Sequence, residues 1–130
     1  MYQPCPYLNR YNKPAASRGE HSLIYEIRIY EASENNAKAM RERFYDHVAA
    51  KFFPRHGIEL LGAFTAPTED GRLTYMTRFP SEEARKSAWA AFASDPEWVA
   101  VKKASELNGP LLKNQTISVL SPAMAGLPLA

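Results

Sequence analysis

Between residues 23 and 120 the hydrophobic period of this chain switches between two and about 3.6, in an order that few folds accommodate. Leu23-Ile24-Tyr25-Glu26-Ile27-Arg28-Ile29-Tyr30-Glu31 alternates strictly. Leu23, Tyr25, Ile27 and Ile29 share one face, and Glu26, Arg28 and Tyr30 the other. Ser33 is a helix N-cap by residue type, and Ala37, Met40, Phe44, Val48 and Phe52 then recur at three- and four-residue steps to about Phe53. Pro54 and Gly57 end that helix. A second strand covers 58–66, the Asp-Gly pair in 67–71 marks a hairpin turn, and 72–79 is the antiparallel third strand. Ser81, with Glu82 and Glu83 behind it, starts a helix whose stripe is Ala84, Ala88, Ala91 and Phe92. Asp95-Pro96-Glu97-Trp98 restarts it as cap, first-turn proline, acid and apolar anchor. Asn108-Gly109-Pro110 is the stop, and a last strand runs from about Asn114 to Leu120.

The order β-α-β-β-α-β predicts an α+β, ferredoxin-like domain with both helices on one sheet face and the other face open. Glu26, Arg28 and Tyr30 are assigned to the open face, together with Tyr75 and Thr77 of strand three. Met76 goes to the core, since methionine packs readily under helices. The opposite register of strand three would bring Arg78 beside Arg28 instead. A face mixing charges and aromatics calls for a partner, so two sheets packed face to face in a homodimer are expected.

A length of 130 residues suits one domain. Sixteen basic against fourteen acidic residues give a net charge of +2, with no clustering that would mark a nucleic-acid surface. The single cysteine, Cys5, excludes an internal disulfide framework and a cysteine-based metal cluster. No apolar run approaches the ~20 residues of a membrane helix, and the first nineteen residues lack the apolar stretch of a secretory signal. These features predict a soluble, cytoplasmic protein without nucleic-acid or membrane partners. Residues 1–21 read as an extended arm, 22–122 as the domain and 123–130 as a tail.

Several strings are familiar in combination. They are Tyr25-Glu26-Ile27-Arg28-Ile29-Tyr30, Arg55-His56-Gly57-Ile58, Leu61-Gly62-Ala63-Phe64, Arg78-Phe79 and Ala93-Ser94-Asp95-Pro96-Glu97-Trp98. Their order and spacing resemble the NIPSNAP family of the dimeric α+β barrel superfamily, over about residues 23–122. The resemblance implies a homodimeric α+β barrel whose two sheets enclose a lumen holding small aromatic or polyketide-like molecules. It also implies kinship with cofactor-independent monooxygenases, polyketide cyclases, muconolactone isomerases and haem-degrading enzymes. Some family members are described as trafficking or mitophagy factors, so the resemblance speaks to fold more than to function.

Glu26, Arg28 and Tyr30 are the leading catalytic and binding candidates, about 7 Å apart along one strand face. They supply a base, a fixed cation able to hold a carboxylate or enolate oxygen, and a phenol. Glu26 and Arg28 read equally well as a structural ion pair. His56, at the helix-to-strand turn, is either a general base or a cap for the last carbonyls of the first helix. Phe64, Tyr75, Thr77 and Gln115 join Tyr30 as substrate-lining candidates. His47, beside Asp46, reads as solvent-facing, with a helical haem ligand as the lesser alternative. No histidine pair has metal-ligand spacing on a helix or strand, and no glycine-rich phosphate loop occurs, so neither a metal nor another cofactor is expected. The expectation is a small-molecule-handling homodimer doing cofactor-independent acid/base chemistry: isomerisation, cyclisation, elimination or oxygenation of a small carbonyl-containing or aromatic substrate. The alternative is a non-catalytic binding or scaffold dimer.

Overall fold

A computed structural model describes residues 23–124. The arm assigned to 1–21 and most of the tail lie outside these residues. Strands β1 (Ile24–Ala32), β2 (Glu59–Phe64), β3 (Arg72–Phe79) and β4 (Leu112–Leu120) form one antiparallel sheet in the order β2-β3-β1-β4. Between β1 and β2 the chain runs through α1 (Ala37–Arg43), a π-helical stretch (Phe44–Phe52) and the short turn α2 (Phe53–Arg55). Between β3 and β4 run α3 (Glu82–Ala93) and α4 (Pro96–Ser105). The expected α+β, ferredoxin-like order is the one observed. Among the described residues no helix is long and apolar enough to cross a membrane.

The local signals act through their expected chemistry at most boundaries. Ser81 accepts from the Ala84 N–H at 3.0 Å, and Asp95 accepts from the Glu97 N–H at 2.9 Å. Gly57 takes φ 69° after the first helical run, a left-handed position that glycine tolerates best. Ser33 differs from expectation. Asn36 occupies the N-cap position, while the Ser33 hydroxyl donates to the Pro110 carbonyl at 2.6 Å and accepts from the Asn36 amide. It therefore ties the β1 exit to the β4 entry. Ala91, assigned to the buried stripe of α3, is exposed, and Trp89 packs against the core instead.

The π-helical stretch has a signature in the sequence. From Met40 to Phe52 every apolar step is four residues, which drifts about 40° per step in an α-helix. The wider turn of i→i+5 bonding rotates such steps the other way, so the drift does not accumulate and Met40, Phe44, Val48 and Phe52 all reach the core.

The ladder registers decide which sheet face the helices cover. Glu26 stands opposite Thr77, Arg28 opposite Tyr75 and Tyr30 opposite Leu73. Phe44 and Phe53 pack their rings on Tyr75, Trp89 lies over Arg28, and Arg85 reaches Glu26. The face carrying Glu26, Arg28, Tyr30, Tyr75 and Thr77 is therefore the helix-covered one, contrary to the sequence expectation. Tyr75 is core, and Met76 belongs to the opposite face. That face carries Tyr25, Ile27 and Ile29 of β1, Thr74 and Arg78 of β3, and Leu120 of β4, with no helix over it among the described residues. In β2, a register shift between Leu60 and Gly62 turns both Leu60 and Ala63 toward the core and sends Phe64 outward. The Phe64 ring, 61% exposed, lies back over Gly62, where an added Cβ would sit 2.7 Å from it.

Candidate functional site

A cavity of about 670 Å³ opens between the covered sheet face and the helices. Arg28 and Tyr30 line it from β1, Arg43 and Phe44 from the first helical run, and Trp89 and Trp98 from α3 and α4. Gln115 joins them from β4, opposite Tyr30. The pocket is formed within a single chain, whereas the sequence reading placed it between two sheets.

Each polar group on the floor is held from behind. The Glu26 carboxylate, fully buried, accepts from Arg28 Nε at 2.5 Å through one oxygen and from Arg85 Nη1 at 2.6 Å through the other. Arg85 also grips Glu82, and these carboxylates raise its already high pKa. Between them the two arginines fix Glu26 as an acceptor already in use, which removes it as a free base. In return Glu26 sets the orientation of the Arg28 guanidinium, whose centre lies 3.7 Å from the Trp89 ring centroid. The indole N–H of Trp89 is buried and has no hydrogen-bond partner among the described residues.

Tyr30 and Tyr75 form the second such pair, with hydroxyl oxygens 2.7 Å apart and rings edge to face. Burial raises both phenol pKa values, that of Tyr75 well above the ordinary one, so both stay protonated across the neutral range. One hydroxyl must donate to the other. Among the described residues Tyr75, behind the cavity wall, has only Tyr30 to donate to, whereas Tyr30 lines the space. With Tyr75 donating, the Tyr30 O–H is left free to face the cavity, beside the Arg28 charge.

Other candidates are elsewhere. Thr77 is buried beneath the cavity floor, its hydroxyl 3.5 Å from the Glu26 carbonyl. Phe64 is on the far face of the sheet. His56 does not line the cavity: its Nε2 is 2.8 Å from Asp95 Oδ2, which also accepts from Arg55 at 2.8 Å. The cluster joins the end of the first helical run to the N-cap of α4. Arg43, which the sequence reading did not single out, crosses the cavity from the first helix to Ser105 and Glu106 at 3.0 and 2.7 Å. Its signal was weak because an arginine beside Glu42 and Phe44 looks like a solvated helix position. Among the described residues no group of three His, Cys, Asp or Glu side chains is placed to hold a metal ion.

Arg55, and next His56, hold the Asp95 carboxyl well below the usual carboxylate range. A carboxylate depressed in the folded state stabilises above its unfolded pKa near 4, and that stabilisation is lost as pH falls through the folded value. Asp95→Ala should lower Tm by about 4 °C at pH 7, mostly through the lost cap. Thermal melts from pH 7 to pH 2 should show this difference constant above about pH 5 and shrinking below pH 4.

The model of the NIPSNAP family matches residues 25–125. The chain belongs to the NIPSNAP family. A NIPSNAP-like domain protein from Burkholderia xenovorans superposes with a TM-score of 0.69 at 23% identity, over 85% of this chain and 93% of that one. A NIPSNAP family protein of unknown function from Agrobacterium tumefaciens gives 0.68 at 22% identity, over 85% and 96% of the two chains. SnoaB, a cofactor-independent oxygenase from Streptomyces nogalater, gives 0.56 at 14% identity, over 79% and 95%. These likenesses establish the fold. None of the curated proteins matches the sequence. This NIPSNAP chain thus shares its architecture with an oxygenase that uses no cofactor.

Proposed function

We propose that this NIPSNAP protein is a cofactor-independent enzyme whose cavity binds a small, planar carbonyl or hydroxyaromatic compound and stabilises its oxyanion. The observation that carries the reading is the pairing of the Arg28 guanidinium and the Tyr30 hydroxyl on one cavity floor, each oriented from behind by a buried partner. Donors preorganised in a poorly solvated pocket stabilise developing negative charge far better than water does. The indoles of Trp89 and Trp98 and the Phe92 ring supply the flat apolar walls.

In the proposed chemistry a C–H bond next to the carbonyl breaks, its proton passes to water in the cavity, and the electron pair moves onto the carbonyl oxygen. That oxygen accepts from Arg28 and Tyr30. The enolate so formed is the common starting point of isomerisation, cyclisation, elimination and, with dioxygen as oxidant, oxygenation. Glu26 is a positioning residue for Arg28 here. His56 has no part in the step, since Asp95 holds it outside the cavity.

A second reading, non-catalytic binding of the same class of ligand, is favoured by one observation. Glu106, the carboxylate that lines the cavity, is already bonded to Arg43, which leaves no unpaired base there among the described residues. The uncovered sheet face, with Tyr25, Ile27, Ile29 and Phe64, supports a homodimer formed through that face in either reading. Sedimentation equilibrium tests the dimer, and a monomer at micromolar concentration contradicts it.

The ligand class is tested with 3-hydroxy-2-naphthoate, a flat acid whose phenol and carboxylate lie at one end. Binding should quench tryptophan fluorescence, and absence of binding overturns both readings. Loss of deuterium from a labelled α-carbon of enolisable analogues, faster with protein than in buffer, would favour the enzyme over the binder.

A further inference from the structure

We propose that the ligand of this cavity carries a second anionic group, remote from the oxyanion at Arg28, and that Lys102 and Lys113 bind it at the cavity mouth. The inference rests on the reading of the cavity above and extends it from a one-ended to a two-ended site.

Charge on the cavity wall is the first observation. Arg28, Arg43, Lys102 and Lys113 line it against one carboxylate, Glu106. The two arginines are matched, Arg28 by Glu26 beneath it and Arg43 by Glu106. Lys102 and Lys113 make no ion pair among the described residues. Glu31 feels the Lys113 charge, but its carboxylate is already taken by Asn114 and Arg72. Two unmatched cations therefore remain, one on α4 and one at the start of β4, and both are exposed where the arginines are not.

Shape is the second observation. The space does not end at the aromatic walls. A groove of about 390 Å³ shares Ala93, Trp98, Lys102 and Glu106 with the cavity and continues past Val99 and Lys103. A ligand seated on Arg28 and Tyr30 with its body between Trp89 and Trp98 has room to extend toward Lys102. A single ring with one oxyanion would leave much of a ~670 Å³ cavity empty. The two observations together select a flat molecule with an oxyanion at one end and a carboxylate, sulfonate or phosphate at the other.

Two probes separate the ends. 3-Hydroxy-2-naphthoate carries its acid and phenol on one ring edge, and 3-hydroxy-7-sulfo-2-naphthoate adds a sulfonate at the opposite edge. Titration calorimetry on the wild-type protein should show the sulfonated probe binding about ten-fold more tightly, or about 1.4 kcal/mol. In Lys102→Met/Lys113→Met the ratio of the two affinities should fall to about one. Raising salt from about 0.05 M to about 0.5 M should shrink the wild-type ratio, because exposed charges are screened. Equal wild-type affinities, or a ratio that survives both lysine substitutions and salt, overturn the second anion site and leave the oxyanion reading standing. Failure of both probes to bind overturns that reading and this inference with it.

Discussion

Glu26→Ala should destabilise the folded domain by about 3 kcal/mol and lower Tm by more than about 10 °C. The carboxylate is fully buried and bridges two guanidinium groups whose side chains are only 13% and 15% exposed. Removing it leaves Arg28 unpaired beneath Trp89 and Arg85 with only Glu82 to balance it. Breaking a buried pair by deleting one partner costs about 3–5 kcal/mol, and the lower end applies because both arginines keep some access to water. Arg85→Met is the informative comparison. It leaves the Arg28–Glu26 pair intact and removes a group that also bonds exposed Glu82, so its cost should be no more than about half as large. Chemical denaturation of the two variants checks the order. A Glu26→Ala protein as stable as wild type would show that the bridge is not a structural necessity.

Arg28→Met should weaken 3-hydroxy-2-naphthoate binding by roughly 10- to 100-fold, the value of a hydrogen-bonded charged partner. The fold should survive, because Glu26 keeps Arg85 and methionine can still lie along the Trp89 ring. Tyr30→Phe should give a smaller loss, since one neutral donor is removed and Tyr75 is left with an unpaired hydroxyl. Calorimetry with circular dichroism on the same samples separates lost binding from lost structure. Wild-type affinity in Arg28→Met would detach the cavity floor from ligand recognition.

The strands and helices were legible because their signals are local. Strict alternation marks β1, Asp70-Gly71 closes the loop between β2 and β3 with Gly71 at φ 74°, and Ser81 and Asp95 cap the helices their positions suggest. The face of the sheet that meets the helices was not legible. Hydropathy weighs Glu26, Arg28 and Tyr30 one at a time, and each one singly belongs in water. In the fold the helices cover them together, and they meet partners from distant segments, Arg85 fifty-nine residues from Glu26 and Tyr75 forty-five from Tyr30. Arg85 gave no warning, since Glu82 one turn earlier already explains it as a surface residue. The candidate residues Arg28, Tyr30 and Gln115 do line one cavity, but it is formed with the helices of their own chain. Phe64 lies apart from them because the register shift between Leu60 and Gly62 turns it to the far face of the sheet.

A crystal structure with bound 3-hydroxy-2-naphthoate tests the central claim most directly. The ligand is expected beneath the helices, with its oxygens on Arg28 and the Tyr30 hydroxyl and its rings against Trp89. A ligand seated instead on the uncovered sheet face, among Tyr25, Ile27 and Phe64, would contradict it.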